Sequence, residues 1–221
     1  MKKINKNVFD FLEDIKQNNN REWFTENKSR YLDIKKDIEH FSAHLFWELN
    51  TFDTSLQNPG EKPYFFRIYR DARFAKGKPY KDHIWILIWQ GWKPAMHQKS
   101  GYYLHIEPWN SFLIWWIWRP EPPVLKAFRE SIDNNSQELK SILSDKKLNK
   151  LFELRWDKVK TAPKWYKKDH PDIDLLRYKD FYVLHNFKDE EVLSDNFFKD
   201  LVKLSKITYP INNYINSLII K

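Results

Sequence analysis

Within residues 67–83, RIYRDARFAKGKPYKDH, the cationic side chains of Arg67, Arg70, Arg73, Lys76, Lys78 and Lys81 alternate with Tyr69, Phe74 and Tyr80. Asp71 and Asp82 are the only carboxylates inside the stretch. Guanidinium forks and ammonium groups set among aromatic rings have two uses. They hold a phosphate, a carboxylate or a nucleic-acid backbone, or they close an ion network within the protein. The anion-binding reading assigns Arg67, Arg70, Asp71, Arg73, Lys78 and Lys81 to one site, with Asp71 orienting a guanidinium. The structural reading spends the same arginines on internal carboxylates.

A second candidate lies in GYYLHIEP (101–108), where strand alternation puts Tyr103, His105 and Glu107 on one face. A His and a Glu two apart on a strand stand side by side, as a general base and a proton-relaying acid require. The competing reading is an ordinary polar sheet face. His170, in KKDHPDIDLLRYKDF, is a third proton-transfer candidate, with Pro171 holding it extended and Asp172 or Asp174 placed to cap the next turn. His170 with its neighbouring aspartates, and His40 with His44, are the sets considered for a metal. Neither has a supporting motif, so no metal site is assigned and the cofactor is left open. No Ser or Thr lies in a nucleophile-elbow context, and no Gly-rich phosphate loop is present.

Composition narrows the classes further. Lys and Arg number 38 against 30 Asp and Glu, a formal charge of +8, which favours anionic small molecules or polyanions as partners. Cysteine is absent, which excludes disulfides, thiolate metal sites and Cys nucleophiles. The longest apolar runs, such as FLIWWIW (112–118), are shorter than the roughly 18 residues of a membrane span. A soluble cytoplasmic protein with no membrane partner is expected. Only 4 Gly accompany 11 Trp, so backbone conformations that favour glycine should be rare.

The elements that must position these groups are legible from periodicity. Val8, Leu12 and Ile15 mark a helix ending in Asn18–Asn20. Tyr31, Ile34, Ile38, Phe41, Leu45 and Leu49 mark a long one over about 22–49, which Asn19 and Glu22 open as a weak capping box. YFFRIYR, IWILIWQGW, YYLHIEP, SFLIWWIW and FYVLHNF read as strands, with a hairpin at Pro108–Ser111. LKAFRESI, SQELKSIL and KKLNKLFEL read as short helices. Two more are expected at about 194–206 and 210–220, the first capped by Ser194 and the two separated by Pro210. The six tryptophans Trp85, Trp89, Trp92, Trp115, Trp116 and Trp118 read as core before they read as a stacking platform. The expected architecture is one α+β domain over 1–221, a mostly antiparallel sheet packed against several helices.

Four segments carry a family resemblance: NNNREWFTENKSRY (18–31), RIYRDARFAKGKPYKDH (67–83), GYYLHIEP (101–108) and APKWYKKDHPDIDLLRYKDF (162–181). In order and content they resemble the domain-of-unknown-function 2461 family of bacterial and fungal proteins, over residues 8 to about 206. The resemblance implies a shared architecture and a shared site, not a reaction. Two departures stand out: FLIWWIWRP replaces a Gly-rich family stretch, and Trp165 stands where a small residue is expected. Such indoles are expected to fill a cleft or close a backbone approach, and so to weaken whatever the family binds there.

The first expectation is therefore a basic pocket for a phosphate- or carboxylate-bearing small molecule, with acid–base catalysis by His105, Glu107 or His170. A nucleic-acid-binding module, and a non-catalytic structural or partner-binding domain, are the alternatives.

Overall fold

The computed structural model describes residues 2–56, 65–71, 73, 75, 77–89, 100–117 and 120–218. Helix α1 (Lys6–Gln17) buries Val8, Leu12 and Ile15 and stops where Asn18 returns its side-chain amide to the Asp14 carbonyl. The helix expected over 22–49 is two: α2 (Arg21–Glu26) and α3 (Lys28–Asn50). Asn27 parts them, because both its backbone N–H and its side-chain amide donate to the Trp23 carbonyl. Side-chain competition of this kind ends a helix that the apolar stripe alone would continue. The cap of α2 is Asn20, whose Oδ1 accepts from the Trp23 N–H at 2.9 Å, rather than Asn19.

Strands β1 (Ile84–Trp89), β2 (Gly101–Ile106), β3 (Ser111–Ile117), β4 (Glu153–Leu154) and β5 (Phe181–Phe187) form one antiparallel sheet, in the order β1-β2-β3-β5-β4. YFFRIYR is not a full strand. Its described residues form isolated bridges, Phe65 with Ile86 and Tyr69 with Tyr80, with Ile68 buried in the core, and so run on from the β1 edge as an irregular arm. Its residue Tyr64 lies outside the described residues.

Helices α4 (Pro122–Asn134), α5 (Gln137–Leu143) and α6 (Lys146–Leu151) follow β3, with Pro122 opening α4 where its missing N–H costs nothing. After the short α7 (Ile173–Leu176) and α8 (Asp189–Val192), the chain ends in α9 (Phe197–Ser217). Pro210 sits inside α9 instead of separating two helices, and Asn196, not Ser194, precedes its first turn. The proline removes one helical hydrogen bond, at about 3 kcal/mol. Burial of Leu204, Ile211, Tyr214 and Ile215 on the same helix, each worth about 1.5–3 kcal/mol, outweighs it.

One sheet face is the core. Leu104, Leu113, Trp115 and Val183 share it, each at most 3% exposed, and α9 packs across it. Trp115 is thus core, while Trp85 is half-buried. Trp92 and Trp118, with the side chains of Trp89 and Trp116, lie outside the described residues. The α9–sheet contact is keyed by a buried polar knot. Asn212 accepts from Trp115 Nε1 and Ser100 Oγ and donates to Asp53 Oδ2 at 2.6 Å, which Tyr102 Oη also reaches at 2.9 Å.

Among the described residues, two non-glycines have positive φ: Trp109 (67°) in the β2–β3 turn and Trp165 (79°). Both indoles are turned outward, 84% and 87% exposed, and Trp165 stands at the rim of two surface pockets.

Replacing Asn212 with Leu leaves Asp53 and the Trp115 N–H short of partners in the core. It is expected to lower stability by about 3 kcal/mol, seen in urea unfolding. Trp165→Gly should act oppositely. Relief of a left-handed backbone worth about 1–2 kcal/mol exceeds glycine's entropic cost, so the melting temperature should rise by about 2–4 °C.

Candidate functional site

The register of β1 on β2 builds the site. Trp85 pairs with His105 and Ile84 with Ile106, and the same register carried one step further sets His83 beside Glu107. Alternation then puts His83, Trp85, Tyr103, His105 and Glu107 on the sheet face away from α9. Four rings stack in a column there: Trp85 on His83 (centroids 5.1 Å), His83 on His105 (4.7 Å), and His105 on Phe112 (4.5 Å, interplanar angle 4°). Aromatic neighbours exclude water from both imidazoles. Burial, with His105 adjacent, pushes His83 down to about 4. Burial also lowers His105, against the opposing pull of Glu107. Burial thus favours the uncharged form of both rings.

Their hydrogen bonds define which nitrogen is free. His83 Nδ1 lies 3.1 Å from Asp82 Oδ1, and a carboxylate only accepts, so Nδ1 carries the proton and Nε2 the lone pair. That Nε2 is buried and has no hydrogen-bond partner among the described residues. Arg70 holds Asp82 in turn, with one guanidinium nitrogen 2.8 Å from the same Oδ1.

His105 donates from Nε2 to Glu107 Oε2 at 3.1 Å and accepts at Nδ1 from Tyr103 Oη at 2.8 Å. Burial raises the Tyr103 phenol, with Glu107 adding, and keeps it a donor. Glu107 is oriented from two further sides, by Asn110 Nδ2 (2.9 Å) and by Lys16 Nζ (3.2 Å) from α1. Burial alone would raise its carboxyl; hydrogen bonds from Asn110, His105 and Lys16 outweigh that and hold it low. One donor atom each from His83, His105 and Glu107 lies within 4.8 Å of the other two, two imidazoles and a carboxylate in the range where a cation draws ligands together.

The basic segment has a different fate. Arg70 Nε donates to the Tyr80 carbonyl at 2.7 Å and its terminal nitrogen to Asp82. Asp71 takes Arg73 Nε, its terminal nitrogen and its backbone N–H, contacts that hold the Asp71 carboxyl at about 2. Lys81 Nζ donates to the Arg67 carbonyl and stands 4.8 Å from the Trp85 ring. Arg67 and Lys78 are exposed, and Phe74 and Lys76 lie outside the described residues. The guanidinium groups of Arg70 and Arg73 thus meet carboxylates of their own segment, instead of converging on one opening.

His170 is not brought to the His105 face. Its Nε2 meets Asp133 of α4 at 3.1 Å, its Nδ1 accepts from the Asp172 N–H, and it shares no described contact with His105 or Glu107. Asp172 caps nothing with its side chain and pairs with Lys140 at 2.5 Å and with Ser136. His40 and His44 form a local pair, with His44 Nδ1 on the His40 carbonyl. The group that sequence reasoning missed is His83. Its signal was available, since His83 and Trp85 stand two apart at the start of a strand that pairs with GYYLHIEP.

The two arginines should separate in a stability measurement. Arg70→Gln leaves the half-buried Asp82 with a lone imidazole partner and is expected to cost about 2 kcal/mol, with a matching fall in melting temperature. Arg73→Gln, on the exposed Asp71 pair, is expected to leave the melting curve unchanged.

Comparison with known proteins adds the family. No curated protein and no solved structure matches the chain. A family model described as "Conserved hypothetical protein (DUF2461)" matches residues 7–214, which include the basic segment, the ring column and His170. With all but the two ends of its sequence inside that match, the chain belongs to the DUF2461 family.

Proposed function

We propose that His83, His105 and Glu107 bind one divalent transition-metal ion, and that the metal's open positions take a small carboxylate- or phosphate-bearing molecule. The observation that carries this reading is the buried Nε2 of His83, without a hydrogen-bond partner among the described residues, on a ring that offers one nitrogen within 4.8 Å of a donor atom of His105 and of Glu107. A buried acceptor left without a hydrogen bond costs about 1–3 kcal/mol, and coordination recovers it.

The surroundings match what metal-bound histidines need. Each ligating imidazole requires a partner on its other nitrogen, and Asp82 backed by Arg70 supplies one for His83 and Tyr103 one for His105. Asn110 and Lys16 hold Glu107 in the same way. A metal at His105 Nε2 takes the place of the proton shared with Glu107 Oε2, and Nδ1–H then donates to Tyr103 Oη. Two nitrogens and one oxygen suit zinc, manganese or iron(II), and three protein ligands leave room for a substrate oxygen. A metal held by these three residues would supply the electrophile, a role that the carboxylate-paired Arg70 and Arg73 do not fill.

Calorimetry of chelator-treated protein with Zn²⁺ and with Mn²⁺ tests this. One ion per chain is expected to bind at least one of them. Glu107→Gln and His83→Gln should each weaken that binding by about 10–100-fold while the circular dichroism spectrum is kept. Inorganic phosphate should protect the metal-loaded protein against heat and leave the chelated protein unaffected. Absence of metal binding, or equal binding by both variants, overturns the reading. Equal protection by phosphate without metal would return the anion to the basic segment.

A further inference from the structure

Far along the chain from the ring column, α5 and α6 stand across from α9 and enclose a groove of about 1150 Å³. Its two walls carry lysines at helical spacing: Lys199, Lys203 and Lys206 along α9, Lys147 and Lys150 along α6. All five are exposed, and none makes an ion pair among the described residues. Lys206 Nζ instead stands 5.4 Å over the Phe52 ring. Asp145, the one acid lining the groove, is engaged with its Oδ1 accepting the Lys147 and Leu148 N–H groups at the start of α6. Between the lysine rows the floor is apolar, made by Ile142, Leu151, Val202 and Ile207.

We propose that this groove docks an acidic amphipathic helix of a partner protein, its apolar stripe on the floor and its Glu and Asp flanks against the two lysine rows. The pattern of the groove selects this occupant. Parallel cationic rows on either side of an apolar strip complement a helix with an apolar stripe flanked by acids, the arrangement of a helix-in-groove contact. A fatty acid presents one carboxylate and leaves most of the lysines unmatched. A nucleic acid matches the charge but offers its backbone no apolar face for the floor. Unpaired lysines on both walls also steer an acidic partner before contact, an effect that added salt weakens.

The test uses the full chain and a fluorescein-labelled synthetic helix of about 18 residues, with Leu at helical spacing and Glu on both flanks. A scrambled peptide of identical composition, a single-stranded oligonucleotide and oleate are the comparators. Anisotropy is expected to show the amphipathic helix binding at least about tenfold tighter than its scramble, a difference of about 1.4 kcal/mol. Binding should weaken at least about tenfold as salt rises from about 50 to 300 mM. Lys203→Glu combined with Lys150→Glu should abolish it. Ile207→Ser, which spares every charge, should weaken it at least about fivefold, with melting curves confirming that both variants fold. Equal binding of the scramble overturns the proposal by showing charge attraction alone. Tighter binding of the oligonucleotide or of oleate overturns it in favour of that ligand class.

Discussion

The carboxamide of Asn212 holds the two layers of this protein in register. Fully buried on α9, it accepts from Trp115 on β3 and from Ser100 just before β2, and donates to Asp53 from the turn after α3. Apolar packing between a helix and a sheet is non-directional, and α9 would otherwise slide along the face of Leu104, Leu113 and Val183 at little cost. A buried amide cannot slide, because each displaced donor or acceptor is left unpaired in the interior. The other face of the sheet inherits that constraint. With Tyr102 and Trp115 pinned inward, alternation turns Tyr103 and His105 outward and fixes where the ring column stands.

The chemistry of the site follows from desolvation rather than from accumulated charge. The basic segment is rich in cations, yet its Asp71 and Asp82 lie close enough to bind Arg73 and Arg70. An arginine already paired has little left for a ligand. Burial favours the uncharged form of His83 and His105, the form that offers a lone pair. They stack between Trp85 and Phe112, and the Asp82 carboxylate selects the tautomer that leaves Nε2 of His83 bare. Arg70 serves the site, but one step removed, as the group that holds Asp82.

Where local signals and the structure part, a named competing interaction decides. Asn27 breaks a helix that the apolar stripe would have carried through, because its amide takes a backbone carbonyl. Pro210 fails to break one, because the apolar face of α9 is worth more than a single hydrogen bond. Trp109 and Trp165 occupy backbone conformations that favour glycine, in a chain with only 4 glycines.

The amino-acid sequence by itself determined the α+β class, the helices α1, α3 and α4, the strands β1, β2, β3 and β5, and the shared face of Tyr103, His105 and Glu107. These depend on the 3.6- and two-residue periods of apolar and polar side chains, which act over a few neighbouring residues. Only the tertiary structure decided that His83 joins His105, that Arg70 pairs with Asp82, and that His170 goes to Asp133 instead. It also decided which lysines of α6 and α9 face one another. Those outcomes depend on strand register and on which partner lies nearest once the chain has closed, quantities set by contacts far apart along it. Charge and residue type identify the groups able to react; the distances between them exist only in the fold.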